Sequence, residues 1–148
     1  MADHVDQQIV DAVVTLVTGL TTSGSRVFKD HLYPFAEADL PCLSVTSADE
    51  QVEYLTIHKP RMQAKTITVS VEAVAKASAL MMSTLRAMRK EVEVVLATNQ
   101  SVNGLARALR LAGTSTRQDV TGDQPVGVAT MTYEIEVYCL ETTPNVAI

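Results

Sequence analysis

The fold is decided by the alternating segment TITVSVEA at residues 66–73, in which every second side chain is apolar. This two-residue period predicts a strand with one face against the core. From residue 76 to about residue 98 the apolar spacing changes to three and four residues, which predicts a long helix. A second alternating segment at residues 126–140 predicts a long terminal strand, with Glu134 and Glu136 on the face opposite its apolar side chains.

The remaining elements are read outward from this centre. Residues 4–19 have helical spacing, with Asp3 as the expected N-cap and Gly19 placed to end the helix. Short strands are predicted at residues 26–28, 42–46 and 52–58, and another around Leu109 and Leu111. Turns are expected at residues 99–104 and 121–125.

Grouped strands between two helices indicate an α+β fold: a mostly antiparallel or mixed sheet with two main helices packed on one face. At 148 residues the chain has the length of one domain. We expect residues 1–148 to form this domain, with a loose C-terminal tail after about residue 142.

Composition excludes several classes of protein. With 47% hydrophobic residues the chain is not intrinsically disordered, and a net charge of −5 argues against a sequence-independent nucleic-acid binder. No apolar run is long enough to span a membrane, and the acidic N-terminus does not resemble a secretory signal. We therefore expect folding in a cytoplasm, with Cys42 and Cys139 as reduced, buried thiols.

Catalytic and ligand-binding motifs are missing from the sequence. There is no glycine-rich phosphate loop, and the three histidines lack partners at metal-ligand spacing. Glu134 and Glu136 could do acid–base work only in an apolar pocket, and a Thr-rich strand face instead suggests a solvated or interfacial acidic surface. The chain is thus predicted not to be an enzyme and to need no cofactor or metal.

One segment has the character of an interaction surface. The acidic pair Asp49-Glu50 leads into Tyr54-Leu55-Thr56-Ile57-His58, and Arg61-Met62 follow. A strand of this kind at a sheet edge either belongs to the chain's own sheet or pairs with another subunit. The candidate interface residues are Asp49, Glu50, Tyr54, Leu55, Ile57, Arg61 and Met62.

Three local phrases, in this order, resemble the tail terminator (minor tail protein U-like) family of long-tailed bacteriophages. The first is RVF at residues 26–28 followed by DLPCLSV at residues 39–45. The second is TITVSV at residues 66–71 with a long helix after it. The third is RLAG at residues 110–113 followed by PVGVA at residues 125–129, which enters the terminal strand.

The resemblance implies a subunit of a ring, hexameric in the family, that caps the head-proximal end of the tail tube and stops its polymerisation. Its partners would be the tail tube protein, the end of the tape measure protein and the head–tail connector. DNA would pass through the lumen without specific binding, past an acidic surface for which Glu134 and Glu136 are candidates. The expected location is the virion, at the tail or neck, after assembly in the host cytoplasm.

Two alternatives remain open at this stage. Within the same class, the chain could be another connector, neck or tail tube component. In a different class, it could be a small bacterial ligand-binding domain, with Arg107 and Arg110 in the segment 104–113 forming an anion-binding patch.

Overall fold

The structure is a computed structural model that describes residues 3–30, 37–119 and 125–148. Two helices and five strands follow one another along the chain, with a 3₁₀ turn at Glu37–Asp39. In chain order they are α1 (Val5–Val17), β1 (Val27–Lys29), β2 (Cys42–Tyr54), β3 (Met62–Lys76), α2 (Met81–Ala97), β4 (Ala108–Asp119) and β5 (Val126–Leu140).

The strands form one sheet in the order β1-β2-β3-β5-β4. β1 runs parallel to β2, and the other neighbours are antiparallel. The central pair, β3 and β5, is continuous from Met62 opposite Leu140 to Lys76 opposite Val126. The prediction of an α+β fold with a mixed sheet is confirmed.

Both helices pack on the same face of the sheet and share one core. The alternating side chains of β3 and β5 point into this core, and Ile67, Val69 and Ile135 are fully buried there. Each such side chain contributes about 1.5–3 kcal/mol when it leaves water. The helices supply the opposite layer with the buried residues Val5, Ile9, Val13, Val17, Leu85, Met88, Val92 and Leu96.

The other face of the sheet carries no described helix and is mostly polar. We call it the open face. Along its centre lie half-buried threonine, serine and glutamate side chains, among them Thr66, Thr68, Ser70, Glu72, Thr130, Thr132, Glu134 and Glu136. A small cluster of Cys42, Val74 and Val128 closes one end of this face.

Two predicted strands, at residues 42–46 and 52–58, are in fact the single strand β2, which ends at Tyr54. The polar residues between them suggest that one strand ends and another begins, but β2 continues to pair with β3 on both sides of an irregularity between Ser47 and Glu50. Leu43 and Val45 face the core and are fully buried. β4 likewise continues through Gly113, where a turn-prone run of serine and threonine follows.

The ends of both helices differ from the predictions. His4, not Asp3, is the N-cap of α1, because its Nδ1 accepts a hydrogen bond from the Asp6 amide at 3.1 Å. α2 begins at Met81 rather than at residue 76, since β3 runs to Lys76 and keeps its pairing with β5 that far. Leu80, which directly precedes α2, is 70% exposed.

The segment after Thr142, for which the sequence predicts a loose tail, makes hydrogen bonds to the rest of the chain. The Pro144 carbonyl accepts a hydrogen bond from the Val5 amide at 2.9 Å, and the Asn145 carbonyl accepts one from Gln8. The Ile148 amide donates to the Tyr138 carbonyl, at 2.9 Å. The first of these bonds satisfies a backbone amide at the start of α1, and the three bonds together fix the tail against α1 and β5. The turn predicted at residues 121–125 falls mostly outside the described residues.

Candidate subunit interface

The predicted interface residues lie together at one end of the sheet, in the segment 48–62, which we call the hairpin end. Residues 48 to 60 are all exposed, whereas residues 42–45 of the same strand are buried. The difference arises because β1 pairs only with residues 43–45 of β2. Beyond residue 45, no other described strand pairs with the outer side of β2, so this part of β2 is an open sheet edge.

The hairpin end presents apolar side chains that the core does not use. Ile57 is 92% exposed, Tyr54 49%, and Val52 and Leu55 slightly less. Single exposed apolar residues are normal on a protein surface, but a contiguous group is typical of an interaction site. Leu55 is fixed by a hydrogen bond from its amide to the Met62 carbonyl, at 2.8 Å.

The hairpin end is attached to the body of the sheet through Arg61. Its Nε lies 2.8 Å from Glu141 Oε2, and its guanidinium lies 4.0 Å above the Tyr54 ring. The hydrogen bond between the two charged groups raises the pKa of Arg61 and lowers that of Glu141. Arg61 and Met62, which the sequence places in the interface, are half-buried and therefore have a structural role as well.

The two acidic candidates of this segment have different surroundings. Asp49 lies at the irregularity of β2, where the pairing with β3 is interrupted between Ser47 and Glu50. Glu50 faces the core side, where its Oε2 lies 3.8 Å from Nζ of Lys65. Lys65 is only 5% exposed, so Glu50 balances a buried charge and is not simply a surface carboxylate.

Glu134 and Glu136 lie on the open face, as their alternation predicts. Glu134 forms an ion pair with Arg110 of the neighbouring strand. Glu136 lies two residues further along β5, between Thr66 on one side and Ala108 on the other. Neither carboxylate is enclosed in an apolar pocket, which general acid catalysis by such a pair would require.

The arginines of the alternative anion-binding patch are both engaged within the chain. Arg110 is paired with Glu134, and Arg107 donates from Nε to the Ile148 main-chain oxygen at 3.1 Å. The Arg107 guanidinium also lies 4.9 Å above the Tyr138 ring. These contacts do not favour an anion-binding function.

The sequence does not reveal a cleft of about 280 Å³ between the second half of α2 and the edge strand β4. Its lining residues are Glu93, Ala97, Gln100, Leu109, Arg110, Leu111 and Tyr133. Tyr133 is 3% exposed, and its hydroxyl has no hydrogen-bond partner among the described residues. Burial, with the nearby Glu93 carboxylate, raises the pKa of Tyr133 to about 12. No signal in the sequence distinguishes Tyr133 from the other inward residues of β5.

Other kinds of site find little support in the described part of the chain. No three His, Cys, Asp or Glu side chains there lie close enough to hold a metal ion. Cys42 and Cys139 are buried and free, and burial raises the pKa of Cys42 to about 12. Neither described helix is long and apolar enough to cross a membrane.

Comparison with known proteins identifies no family for this chain. No protein-family model matches it, and no curated protein matches it. One solved structure that it resembles is titled "Virion of native gene transfer agent (GTA) particle", with 17% identity and a TM-score of 0.39. That match covers 90% of this chain and 92% of the other.

Proposed function

We propose that this chain is a structural, non-enzymatic subunit of a phage-like virion, and more specifically a tail terminator. In this proposal it assembles into a ring, hexameric as in the family it resembles, that caps the head-proximal end of the tail tube. The ring ends tube polymerisation and joins the tail to the head connector. It would also contact the end of the tape measure protein.

The location of the three family-like phrases supports this proposal. The first phrase spans β1 and the start of β2, which pair at Val27 and Leu43. The second lies in β3, ahead of α2, and the third spans β4 and the start of β5. The phrases therefore fall on the paired strands that build the sheet, rather than on scattered loops.

The observation that carries the assembly part is the presence of two unlike open edges on one sheet. One edge is the outer side of β2 beyond residue 45, and the other is β4, at the opposite end of the strand order. An open edge readily pairs with another chain. Contacts between two different surfaces are head-to-tail, and they close into a ring when the rotation between subunits allows it.

The open face supplies the surface that this proposal assigns to the lumen. Glu72, Glu134 and Glu136 lie on it among threonines and serines. Arg117 lies 3.9 Å from Glu72 and Arg110 pairs with Glu134, so Glu136 is the one of the three glutamates with no ion pair to a described residue. An acidic wall repels the DNA backbone and so allows DNA to pass without being held. Changing Glu136 to lysine should leave ring assembly intact and slow DNA passage, measured as the rate of DNA release from assembled particles. Glu134 is kept in this variant because it pairs with Arg110. An unchanged rate would remove Glu136 from the lumen.

The assembly is tested by sedimentation velocity and native mass spectrometry, followed by addition of the chain to polymerising tail tubes. We expect a closed ring and tubes that stop growing once capped. An Ile57→Asp variant should lose the ring, whereas Leu80→Asp should keep it. Leu80 is also a large apolar residue on the surface, at 70% exposure, but it follows the opposite end of β3 from the hairpin end. A strict monomer at high concentration that leaves tube length unchanged would refute the proposal. Long tubes formed by this chain alone would indicate a tube subunit instead.

A further inference from the structure

We infer that the cleft between α2 and β4 is a docking site for the tip of the hairpin end of a second copy of this chain, residues 55–60. This inference rests on the proposed ring, and it names the two surfaces that meet in it. It starts from Tyr133, which lines the cleft with a buried hydroxyl that has no hydrogen-bond partner among the described residues. A buried polar group without a partner is rare in native structures and calls for an explanation, which a hydrogen bond from a second chain would supply.

The size and lining of the cleft favour protein side chains over a small molecule. At about 280 Å³ it lies just under the range of typical small-molecule pockets, which is about 300–1,000 Å³. Its walls include Ala97, Leu109 and Leu111, and Leu111 is 36% exposed. An apolar side chain would pack against these walls, and a polar group next to it in the same loop would form a hydrogen bond with the Tyr133 hydroxyl.

The tip of the hairpin end has the complementary chemistry. Ile57, the most exposed of the large apolar residues among those described, is followed by His58 and Lys59. The cleft carries the Glu93 carboxylate, while the charge of Arg110 is balanced by Glu134. A basic, apolar-tipped loop therefore meets an acidic, apolar-walled cleft.

The tip cannot reach the cleft of its own chain. Tyr54, at the end of β2, is aligned through Gln63 with Cys139, whereas the cleft lies at Tyr133 and Leu111. Six residues along β5 correspond to roughly 20 Å, and three strand intervals across the sheet add about 14 Å in the perpendicular direction. The occupant must come from another chain, and a second copy offers it at the opposite sheet edge. Docking of the tip would also bring the open edges of β2 and β4 close to each other.

Cysteine cross-linking tests the contact directly. In an Ile57→Cys, Leu111→Cys double variant, mild oxidation should join copies into a ladder of covalent oligomers that ends at the ring size. Each single variant should give at most dimers. The matched control is Ile57→Cys with Leu80→Cys, because Leu80 is exposed but lies about 20 Å from Glu93 along α2. The native Cys42 and Cys139 are buried, and oxidation of the wild type measures their background.

A second variant tests the role of the hydroxyl. Tyr133→Phe should weaken self-association about threefold to tenfold, because the docked tip loses a hydrogen bond. The isolated subunit should become more stable at the same time, since its unpaired buried hydroxyl is gone. A merely structural tyrosine would not move stability and association in opposite directions.

The outcomes separate this inference from the proposed function. A ladder in the test pair but not in the control pair supports the docking site, even if the chain has no effect on tail tubes. A ring that forms in solution without the ladder overturns the docking site and leaves the ring proposal standing. Equal ladders in both pairs also overturn it, and a chain that stays monomeric overturns both proposals.

Discussion

Replacing Tyr133 by phenylalanine should make the isolated subunit more stable, although the change deletes a polar group from a natural core. The side chain is 3% exposed, and its hydroxyl has no hydrogen-bond partner among the described residues. Burying such a group unpaired costs about 1–3 kcal/mol, and the phenyl ring keeps the packing of the phenol. We expect the free energy of unfolding to rise by about 1 kcal/mol, which in a chain of this size raises Tm by about 2–4 °C.

The assay is urea unfolding at neutral pH, at a concentration low enough for the subunit to be monomeric. Tyr138→Phe is the matched control, because Tyr138 is on the same strand but half-buried on the open face. Its change should stay within about 0.5 kcal/mol. A loss of 1 kcal/mol or more in Tyr133→Phe would refute the reasoning, since it would mean that the hydroxyl is hydrogen-bonded in the free subunit.

The pH dependence of the same pair of proteins gives an independent check. Burial raises the pKa of Tyr133 from 10.0 to about 12, so the folded state holds the phenolic proton more tightly than the unfolded state does. The resulting stability is present below pH 10 and is lost as the pH rises from 10 towards 12. Across this range the advantage of Tyr133→Phe over wild type should widen, by at most about 1.4 kcal/mol per pH unit. A constant difference would show that Tyr133 titrates normally.

Two further predictions concern backbone approach and buried charge, and both are measured as free energies of unfolding in urea. Gly127→Ala should cost about 1–3 kcal/mol, because the added methyl group would overlap the Met81 side chain. Its control is Gly113→Ala, which should be neutral or slightly stabilising because the added methyl group meets no atom within 4 Å. Equal effects of the two substitutions would contradict the packing of α2 on β5. Glu50→Gln should cost about 1–2 kcal/mol by leaving the buried Lys65 charge unbalanced, whereas Lys65→Met should be neutral or stabilising. A larger loss in Lys65→Met than in Glu50→Gln would show that the lysine contributes more than it costs.

The central strands were predictable because their side chains alternate and their two faces differ in burial. Every inward residue of β3 from Ile67 to Ala73 is apolar, so the two-residue period is clear from the amino-acid sequence alone. The limits of β2 were not predictable in this way. Its residues 49–51 are polar and exposed, and the strand continues through them because Glu50 and Gln51 pair with β3, which is a tertiary effect.

The site could be predicted only in part, for a related reason. Apolar residues next to a predicted turn indicated Tyr54, Leu55 and Ile57 as interface residues. In the structure all three are exposed at the hairpin end. The cleft depends on the distance between α2 and β4, which no local pattern encodes. Tyr133 looks like any other inward residue of β5 until its hydroxyl is checked for a partner.

The irregularities of pairing in the two strands with open edges have an evolutionary consequence. In β2 the register shifts by one residue between Ser47 and Glu50, and in β4 it shifts between Leu111 and Gly113, while β3 and β5 pair without a shift. The extra residue is accommodated as a β-bulge, so the side chains beyond it keep their side of the sheet. Deleting Asp49 would therefore make the pairing regular and leave Val52 and Tyr54 on the side that they now occupy. An edge strand with such a bulge tolerates a change of one residue in length without changing the surface that it presents to another chain.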